Sequence, residues 1–227
     1  MSKLTERVTI GLPITDESFG GAFKDRPLLC IGQRGAGKTL AALQFIKRGL
    51  EAGESTLMLS EMPATNLIEL GEKMGIPLSS AISERQIAVV EYETLLGTPP
   101  LWPISVQDFS YIMRYVETQR IGRLVLDTVV PWVALDDPAA LREHVEVFME
   151  ELDHVGATTL ITLPRAVSPL AQELTKMLTT LTPLSLEINC LEGDEREINV
   201  LRCLGQVILP KPQKYLITTN EGLVYGR

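Results

Sequence analysis

The feature that most constrains this chain is the segment from Gly32 to Thr39, which reads GQRGAGKT and fits the pattern G-x-x-x-x-G-K-[ST]. An apolar run at residues 27–32 precedes it, and a helical pattern near 38–52 follows it. The glycines let the backbone curl so that its N–H groups point inward, and the N-terminus of the helix adds the positive end of its dipole. A strand, a glycine-rich turn and a helix in this order predict a cradle for the phosphates of a nucleotide.

The rest of the chain predicts an α/β fold. Apolar runs alternate with helical periods from residue 27 to about residue 180, which is typical of βαβ units around a mainly parallel sheet. Closely spaced segments with strand character then follow, with GDER and NEG as hairpin turns, so we expect an antiparallel extension at one edge of the sheet. A length of 227 residues suits a single domain over residues 1–227. The predicted strands are 27–32, 55–60, 86–91, 123–127, 157–163 and the segments LSLEINCL, EINVLRCL, KYLITT and GLVYGR, and the predicted helices lie near 38–52, 64–74, 105–121, 138–155 and 168–179.

The charge distribution narrows the class of ligand. With 21 basic and 29 acidic residues the net charge is -8, which has the wrong sign for a dedicated binder of nucleic acid or of an anionic membrane. Residues 1–50 nevertheless carry eight basic and four acidic side chains, which suits a small anionic ligand near this end. No leader-like N-terminus and no run of about 18 uncharged apolar residues occur, so we expect a cytoplasmic protein without a membrane span.

Two side chains of the glycine-rich loop and one strand-terminal acid carry the predicted chemistry. Lys38 is expected to place its charge on the β- and γ-phosphates, and the Thr39 hydroxyl is expected to take one position around Mg²⁺. A second metal-side acid is expected where the strand RLVLD ends, at Asp127. The predicted ligand is a nucleoside triphosphate with magnesium. Contacts to it are assigned to the whole loop, namely Gly32, Gln33, Arg34, Gly35, Ala36, Gly37, Lys38 and Thr39.

The carboxylate that activates the attacking water must come from another segment. Many ATPases place a Glu directly after the strand-terminal Asp, but here Thr128, Val129 and Val130 follow Asp127. The candidate is Glu61. It lies at the carboxyl end of the strand that follows the helix of the glycine-rich loop at 32–39, the P-loop, and a carboxylate there can orient water. The alternative is that Glu61 only caps the helix that follows it. The GTP-binding signatures N-K-x-D and D-x-x-G are missing at the expected places, so ATP is favoured over GTP.

At this point the chain resembles the RecA superfamily and, within it, the KaiC-type ATPase domain of the circadian clock proteins and their bacterial and archaeal relatives. The resemblance spans nearly the whole chain and rests on the pair Gly20-Gly21, the P-loop, LSEMPATNLIE (59–69), LVLDT (124–128) and DHVGATTLIT (153–162). It implies a ring-forming ATPase in which Glu61 is the catalytic acid. In that family the position often holds a Glu-Glu pair, and here Ser60 stands in place of the first member.

Two further segments depart from the family pattern. Where the predicted strand 157–163 ends, the family commonly has Thr-x-Glu-Arg. This chain has TLPR at 162–165 and therefore Pro164 in place of the acid. The family's Lys-x-Arg-Gly, which reaches the γ-phosphate bound by a neighbouring subunit, appears as RCLG at 202–205, with Leu204 in place of the arginine finger. Arg202 lies two positions away and is expected to take over part of that role near the nucleotide. These departures imply slow hydrolysis.

Three functions remain open from the sequence. The leading hypothesis is a slowly hydrolysing, Mg-dependent regulatory ATPase that binds ATP or ADP and whose nucleotide state controls self-assembly, as a ring or dimer, or the binding of a protein partner. The second is a DNA-handling recombinase relative, but the segment WVALDDPAA (132–140) has two acids where such proteins have a basic or glycine-rich loop. The third is a degenerate scaffold that holds ATP without turnover.

Overall fold

The structure is a computed structural model that describes residues 6–91, 106–127, 138–193, 195–218 and 222–225. Within these ranges the strands form one large sheet and one small sheet. The strands are β1 (Arg7–Val8), β2 (Ala22–Phe23), β3 (Pro27–Gly32), β4 (Thr56–Ser60), β5 (Ile87–Glu91), β6 (Arg123–Asp127), β7 (Thr158–Pro164), β8 (Leu184–Cys190), β9 (Glu195–Cys203), β10 (Gln213–Thr218) and β11 (Gly222–Tyr225). The helices are α1 (Pro13–Phe19), α2 (Lys38–Glu51), α3 (Ala64–Lys73), α4 (Leu78–Ser83), α5 (Val106–Thr118), α6 (Pro138–Val155) and α7 (Pro169–Leu181).

The large sheet confirms the predicted α/β fold. Its strand order is β11-β10-β9-β8-β3-β7-β6-β4-β5. The strands from β8 to β5 run parallel to one another, and β9, β10 and β11 form the antiparallel extension at one edge. The predicted bounds of β3, β6 and α6 match the structure, and the other predicted elements differ from it only at their ends.

Helices cover both faces of the sheet because its central strands are apolar on both sides. Along β3, Leu28 and Cys30 belong to the core cluster under α1, α2, α3 and α4, whereas Leu29 and Ile31 belong to the cluster under α5, α6 and α7. This alternation follows from the period of two in a strand. Among the described residues, no helix combines the length and the apolar character that crossing a membrane requires.

The sequence reading missed the elements at the start of the chain and one short helix. β1 and β2 have two residues each and form a separate small antiparallel sheet. α1 has seven residues, of which only Ile14 and Thr15 are buried, and α4 has six. Elements this short do not repeat an apolar residue often enough to show a helical or strand period, so the amino-acid pattern alone reads as a loop.

Some sequence predictions concern residues outside the described ranges. They include the segment from Thr128 to Val130, residues 132–137 of the proposed DNA-facing loop, and most of the NEG turn.

The parallel strands place their carboxyl ends at one edge of the sheet. The register pairs Asp127 with Ser60 on one side and with Thr162 on the other, and it pairs Ser60 with Glu91. Gly32, which ends β3, is paired with Pro164 at the same edge. Ligands of open α/β sheets bind outside this edge, which is therefore where a site is expected.

Candidate functional site

The loop between β3 and α2 holds the lysine against its own backbone. Lys38 is buried, and its Nζ donates to the carbonyl oxygens of Gly32 at 2.9 Å and Gln33 at 3.2 Å. Gly37 precedes α2 with a φ of 105°, a left-handed conformation that glycine adopts readily. A Cβ on Gly32 would lie 2.7 Å from the carbonyl oxygen of Ile188, so only glycine fits there without a shift of the backbone. The loop therefore has the tight, curled backbone that a phosphate cradle needs.

Three hydroxyl groups surround the carboxylate that ends β6. Asp127 is buried, and its Oδ2 accepts hydrogen bonds from Thr39 Oγ1 at 3.0 Å and from Ser60 Oγ at 3.1 Å. Its Oδ1 accepts from Thr162 Oγ1 at 2.7 Å. The two residues that the sequence assigns to the metal, Thr39 and Asp127, thus lie in direct contact although 88 positions separate them in the chain.

This oxygen set fits magnesium. Mg²⁺ prefers oxygen ligands and is commonly held by one or two carboxylates together with substrate phosphates, rather than by a cage made only of protein groups. In the part of the chain that the structure describes, no cluster of three or more His, Cys, Asp or Glu side chains is arranged to hold a metal. One carboxylate and one hydroxyl beside a phosphate-type loop are what a nucleotide-bound Mg²⁺ would use, and Asp127 and Thr39 supply them.

Glu61 follows β4 directly, and it lines a pocket that Lys38, Thr39 and Asp127 also line. Loss of hydration in the pocket, together with the negative charge of Asp127, raises the pKa of the Glu61 carboxyl above its ordinary value of 4.5. The carboxylate that caps the first turn of α3 comes from another strand, because the N–H of Ala64 donates to Glu91 Oε1 at 2.7 Å. The capping bond that the structure shows at this helix thus comes from Glu91, and the role of Glu61 as the base stays a prediction.

A single cavity of about 670 Å³ brings the main predicted residues together. Lys38, Thr39, Glu61 and Asp127 all line it, with Arg34, Gly35 and Gly37 of the loop. Its volume lies in the range of small-molecule sites, about 300–1,000 Å³. Gly32, Gln33 and Ala36 do not line this cavity, and Ala36 is fully buried in the core beneath the loop. The remaining walls are mainly apolar and include Leu40, Met62, Pro164 and Ile217.

Arg202 and Leu204 lie near the amino ends of the parallel strands, opposite the carboxyl ends where the P-loop lies. Cys203 pairs with Leu184 at the start of β8, whereas Gly32 pairs with Ile188 towards its end. The Arg202 guanidinium donates to carbonyl oxygens at the C-terminal end of α7, including that of Thr182 at 3.1 Å, and it also contacts the carbonyl oxygen of Thr180. Neither residue reaches the cavity of its own chain, so the predicted contact of Arg202 with a nucleotide requires a second copy. It stays a prediction.

Several residues at the site were not predicted from the sequence. The sequence gives Ser60 only as a departure from the family pattern and Thr162 only as a residue that keeps it, yet both donate to Asp127. The sequence analysis assigns no role to Glu91, although this residue ends a predicted strand at the edge where the other acids lie. The rule that the carboxyl ends of parallel strands meet would have identified it. Ile217 comes from the antiparallel extension, and no local pattern shows that this extension reaches the loop.

The similarity to known proteins agrees with this geometry. The solved structure of the KaiC-like protein PH0186 from Pyrococcus horikoshii shares the fold with a TM-score of 0.75 and 24% identity, over 98% of this chain and 99% of its own. The UPF0273 protein MK0039 of Methanopyrus kandleri is 27% identical over 69% of this chain and 66% of its own length. The circadian clock oscillator protein KaiC of Parathermosynechococcus lividus is 26% identical over 92% of this chain.

The chain spans only part of these curated relatives, since it covers 40% of the length of that KaiC protein and 28% of the circadian clock protein KaiC2 of Synechocystis, to which it is 28% identical. The family model described as "ATPase: KaiC" nevertheless matches residues 8–224 of this chain. With a P-loop, a strand-terminal acid and a RecA-like sheet in one match that covers almost all of its length, the chain belongs to the KaiC ATPase family.

Proposed function

We propose that this chain binds ATP with Mg²⁺ in the cavity between the P-loop and Asp127, and that it hydrolyses ATP slowly. The observation that carries the proposal is the contact between Thr39 Oγ1 and Asp127 Oδ2 beside a buried Lys38. Lys38 and Thr39 begin α2 and Asp127 ends β6, so the three groups converge at the edge where α/β sheets bind ligands. Together they supply one cation for the phosphates and two oxygen ligands for a metal.

In this proposal Lys38 exchanges its partners on binding. Its Nζ donates to two loop carbonyls, and a triphosphate would draw the ammonium towards the β- and γ-oxygens, where a charge-assisted hydrogen bond is stronger than a bond to a neutral carbonyl. The loop N–H groups and the N-terminus of α2 add positive potential at the same point. Bound Mg²⁺ would neutralise charge that develops on the phosphates.

Glu61 is the proposed base. Glu61 lines the cavity close enough to Asp127 for the two charges to interact. In this proposal, a water that attacks the terminal phosphate would lie in this part of the cavity. A raised pKa makes a carboxylate a better proton acceptor when it is ionised. No cation from the described residues besides Lys38 and Arg34 lines the cavity, so charge on the leaving phosphate is stabilised mainly by the loop. Slow turnover follows from this arrangement.

We further propose that the nucleotide state controls assembly or partner binding. The support is the position of Arg202 and Leu204, which lie on the sheet edge far from their own cavity and can approach a nucleotide only from a second copy. An ATPase whose trans residue is Leu204 instead of an arginine would keep ATP bound for a long time, which suits a switch better than a motor.

The test measures binding and chemistry separately. Calorimetry with Mg²⁺ and a non-hydrolysable ATP analogue should show binding to the wild type and none to Lys38→Ala. Lys47→Ala removes a lysine from the same helix away from the cavity and should bind normally. Single-turnover hydrolysis should fall by about one to three decades in Glu61→Gln with affinity retained, since that is the contribution of a positioned general base. Glu69→Gln, on the exposed face of α3, is the matched control and should hydrolyse like the wild type.

A different experimental result would contradict each part of the proposal. Analogue binding that survives Lys38→Ala would refute the site. A wild type that binds ATP but shows no turnover above that of Glu61→Gln would identify a nucleotide-holding scaffold. Light scattering with and without Mg-ATP tests the regulatory part, and an identical mass and shape in both conditions would contradict control of self-assembly.

A further inference from the structure

The turn that carries Glu61 is fastened at two points by side chains of the flanking strands. On one side, Ser60 Oγ accepts a hydrogen bond from the N–H of Met62 at 3.1 Å. On the other side, Glu91 Oε1 accepts from the N–H of Ala64 at 2.7 Å. Pro63 lies between these points and has no N–H to offer. The N–H groups of Met62 and Ala64, both within this turn at 61–64, therefore each bind a side-chain acceptor.

The Glu61 carboxyl is not held by a polar contact of its own among the described residues. Within the described part of the chain its side chain makes no hydrogen bond and no ion pair, so the position of the carboxyl follows from the backbone that carries it. A base must lie within hydrogen-bond reach of the proton it accepts, about 2.6–3.2 Å between heavy atoms. The two fastenings of the turn are thus the features that can hold this distance.

Both acceptors belong to strands of the large sheet. Ser60 lies in β4 between Asp127 of β6 and Glu91 of β5, and the register pairs it with both. Its hydroxyl donates to Asp127 Oδ2 while it accepts from Met62, so it links the metal-side acid to the turn. The bond from Ala64 to Glu91 has an ionised acceptor at a helix N-terminus, which makes it stronger than a bond between neutral groups. Hence Glu91 is the stronger of the two anchors.

We propose that Glu91 is a positioning residue that holds the Glu61 carboxyl in the geometry needed for hydrolysis. This inference rests on the proposed function, in which Glu61 is the base. Glu91 does not touch the nucleotide in this account and acts only through the turn at 61–64. Without it the turn loses one anchor, and a displacement of about 1 Å at the base lowers the rate by about a hundredfold.

Three substitutions separate geometry from charge. Glu91→Ala removes the acceptor and should lower single-turnover hydrolysis by about tenfold to a hundredfold while analogue affinity stays at the wild-type value. Glu91→Gln keeps an acceptor oxygen at the same reach without the charge and should retain most of the rate. Glu91→Asp keeps the charge but withdraws it by one methylene group, and it should be slow. Should the alanine variant fail to fold, the comparison of Gln with Asp still decides the proposal.

A double variant tests whether Glu91 acts through Glu61. In a Glu61→Gln background, adding Glu91→Ala should cause no further loss of rate, because the group being positioned is already gone. Glu72→Ala is the matched control, since Glu72 Oε1 accepts from the N–H of Ser79 at 2.9 Å and so caps the next helix, α4, in the same way. It should leave the rate unchanged.

The outcomes distinguish this inference from the proposed function. If Glu61→Gln is slow but Glu91→Ala and Glu91→Asp hydrolyse at the wild-type rate, Glu91 is only a helix cap and the inference alone is wrong. An equal further loss in the double variant would show that Glu91 acts independently of Glu61, which also overturns it. If Glu61→Gln hydrolyses like the wild type, the base is elsewhere, and the inference is overturned together with that part of the proposed function.

Discussion

The buried guanidinium of Arg123 ties the N-terminal segment to the core. Arg123 begins β6, and its side chain is 2% exposed. Its Nη1 donates to the carbonyl oxygens of Thr9 at 2.9 Å and Phe45 at 3.0 Å, and its Nε pairs with Glu54. The guanidinium also lies over the Phe45 ring, 4.7 Å from its centroid. The same strand ends at Asp127, so this cluster anchors the amino end of the strand that carries the acid.

Substitution of Arg123 by alanine should destabilise the protein severely. Removing one partner of a buried ion pair costs about 3–5 kcal/mol. The lost hydrogen bonds to the carbonyl oxygens of Thr9 and Phe45 cost about 0.5–1.5 kcal/mol each. Glu54 keeps 24% of its side chain exposed and can recover part of its hydration, so the lower end applies to the ion pair. We expect a total loss of about 5 kcal/mol, which is comparable with the entire stability of many domains.

Urea denaturation followed by far-ultraviolet circular dichroism measures this loss. Arg26→Ala is the control, because Arg26 pairs with Asp153 at 2.8 Å in a partly exposed position and its loss should cost at most about 1 kcal/mol. Soluble Arg123→Ala protein that unfolds within about 1 kcal/mol of the wild type would refute the reasoning, since the buried contacts would then contribute no more than exposed ones.

Two further predictions concern hydrolysis. The raised pKa of Glu61 means that the base loses its ionised form at a higher pH than an ordinary Glu, so the rate should fall as the pH drops through a midpoint above 4.5. That acid limb should be missing in Glu61→Gln, and an unchanged limb would assign it to another group. Leu204→Arg should restore a cation in trans and accelerate hydrolysis by about three decades or more, as an arginine finger does. The gain should increase with protein concentration in a dilution series, and a gain independent of concentration would show that residue 204 does not act between copies.

Local pattern was sufficient for the elements that are long and periodic and for the loop whose residues are consecutive. The P-loop is read from eight neighbouring positions, Gly32 to Thr39, and the strand and helix around it follow from apolar periods that do not depend on the rest of the chain. The same holds for β6 with Asp127 at its end and for Glu61 after β4. Parallel strands place their carboxyl ends together, so these residues could be assigned to one edge before any coordinates.

Contacts between distant segments could be decided only by the tertiary structure. The strand order places β4 between β6 and β5, which is not the order along the chain, and this arrangement puts Ser60 beside both Asp127 and Glu91. Arg202 appears near a glycine in a family-like motif, yet the antiparallel direction of β9 carries it to the edge opposite the P-loop. Arg123 reads as the charged start of a strand, but folding buries it against residues from three segments. A residue's periodicity reports its local conformation, whereas its hydrogen-bond partners depend on which strands become neighbours when the core is buried.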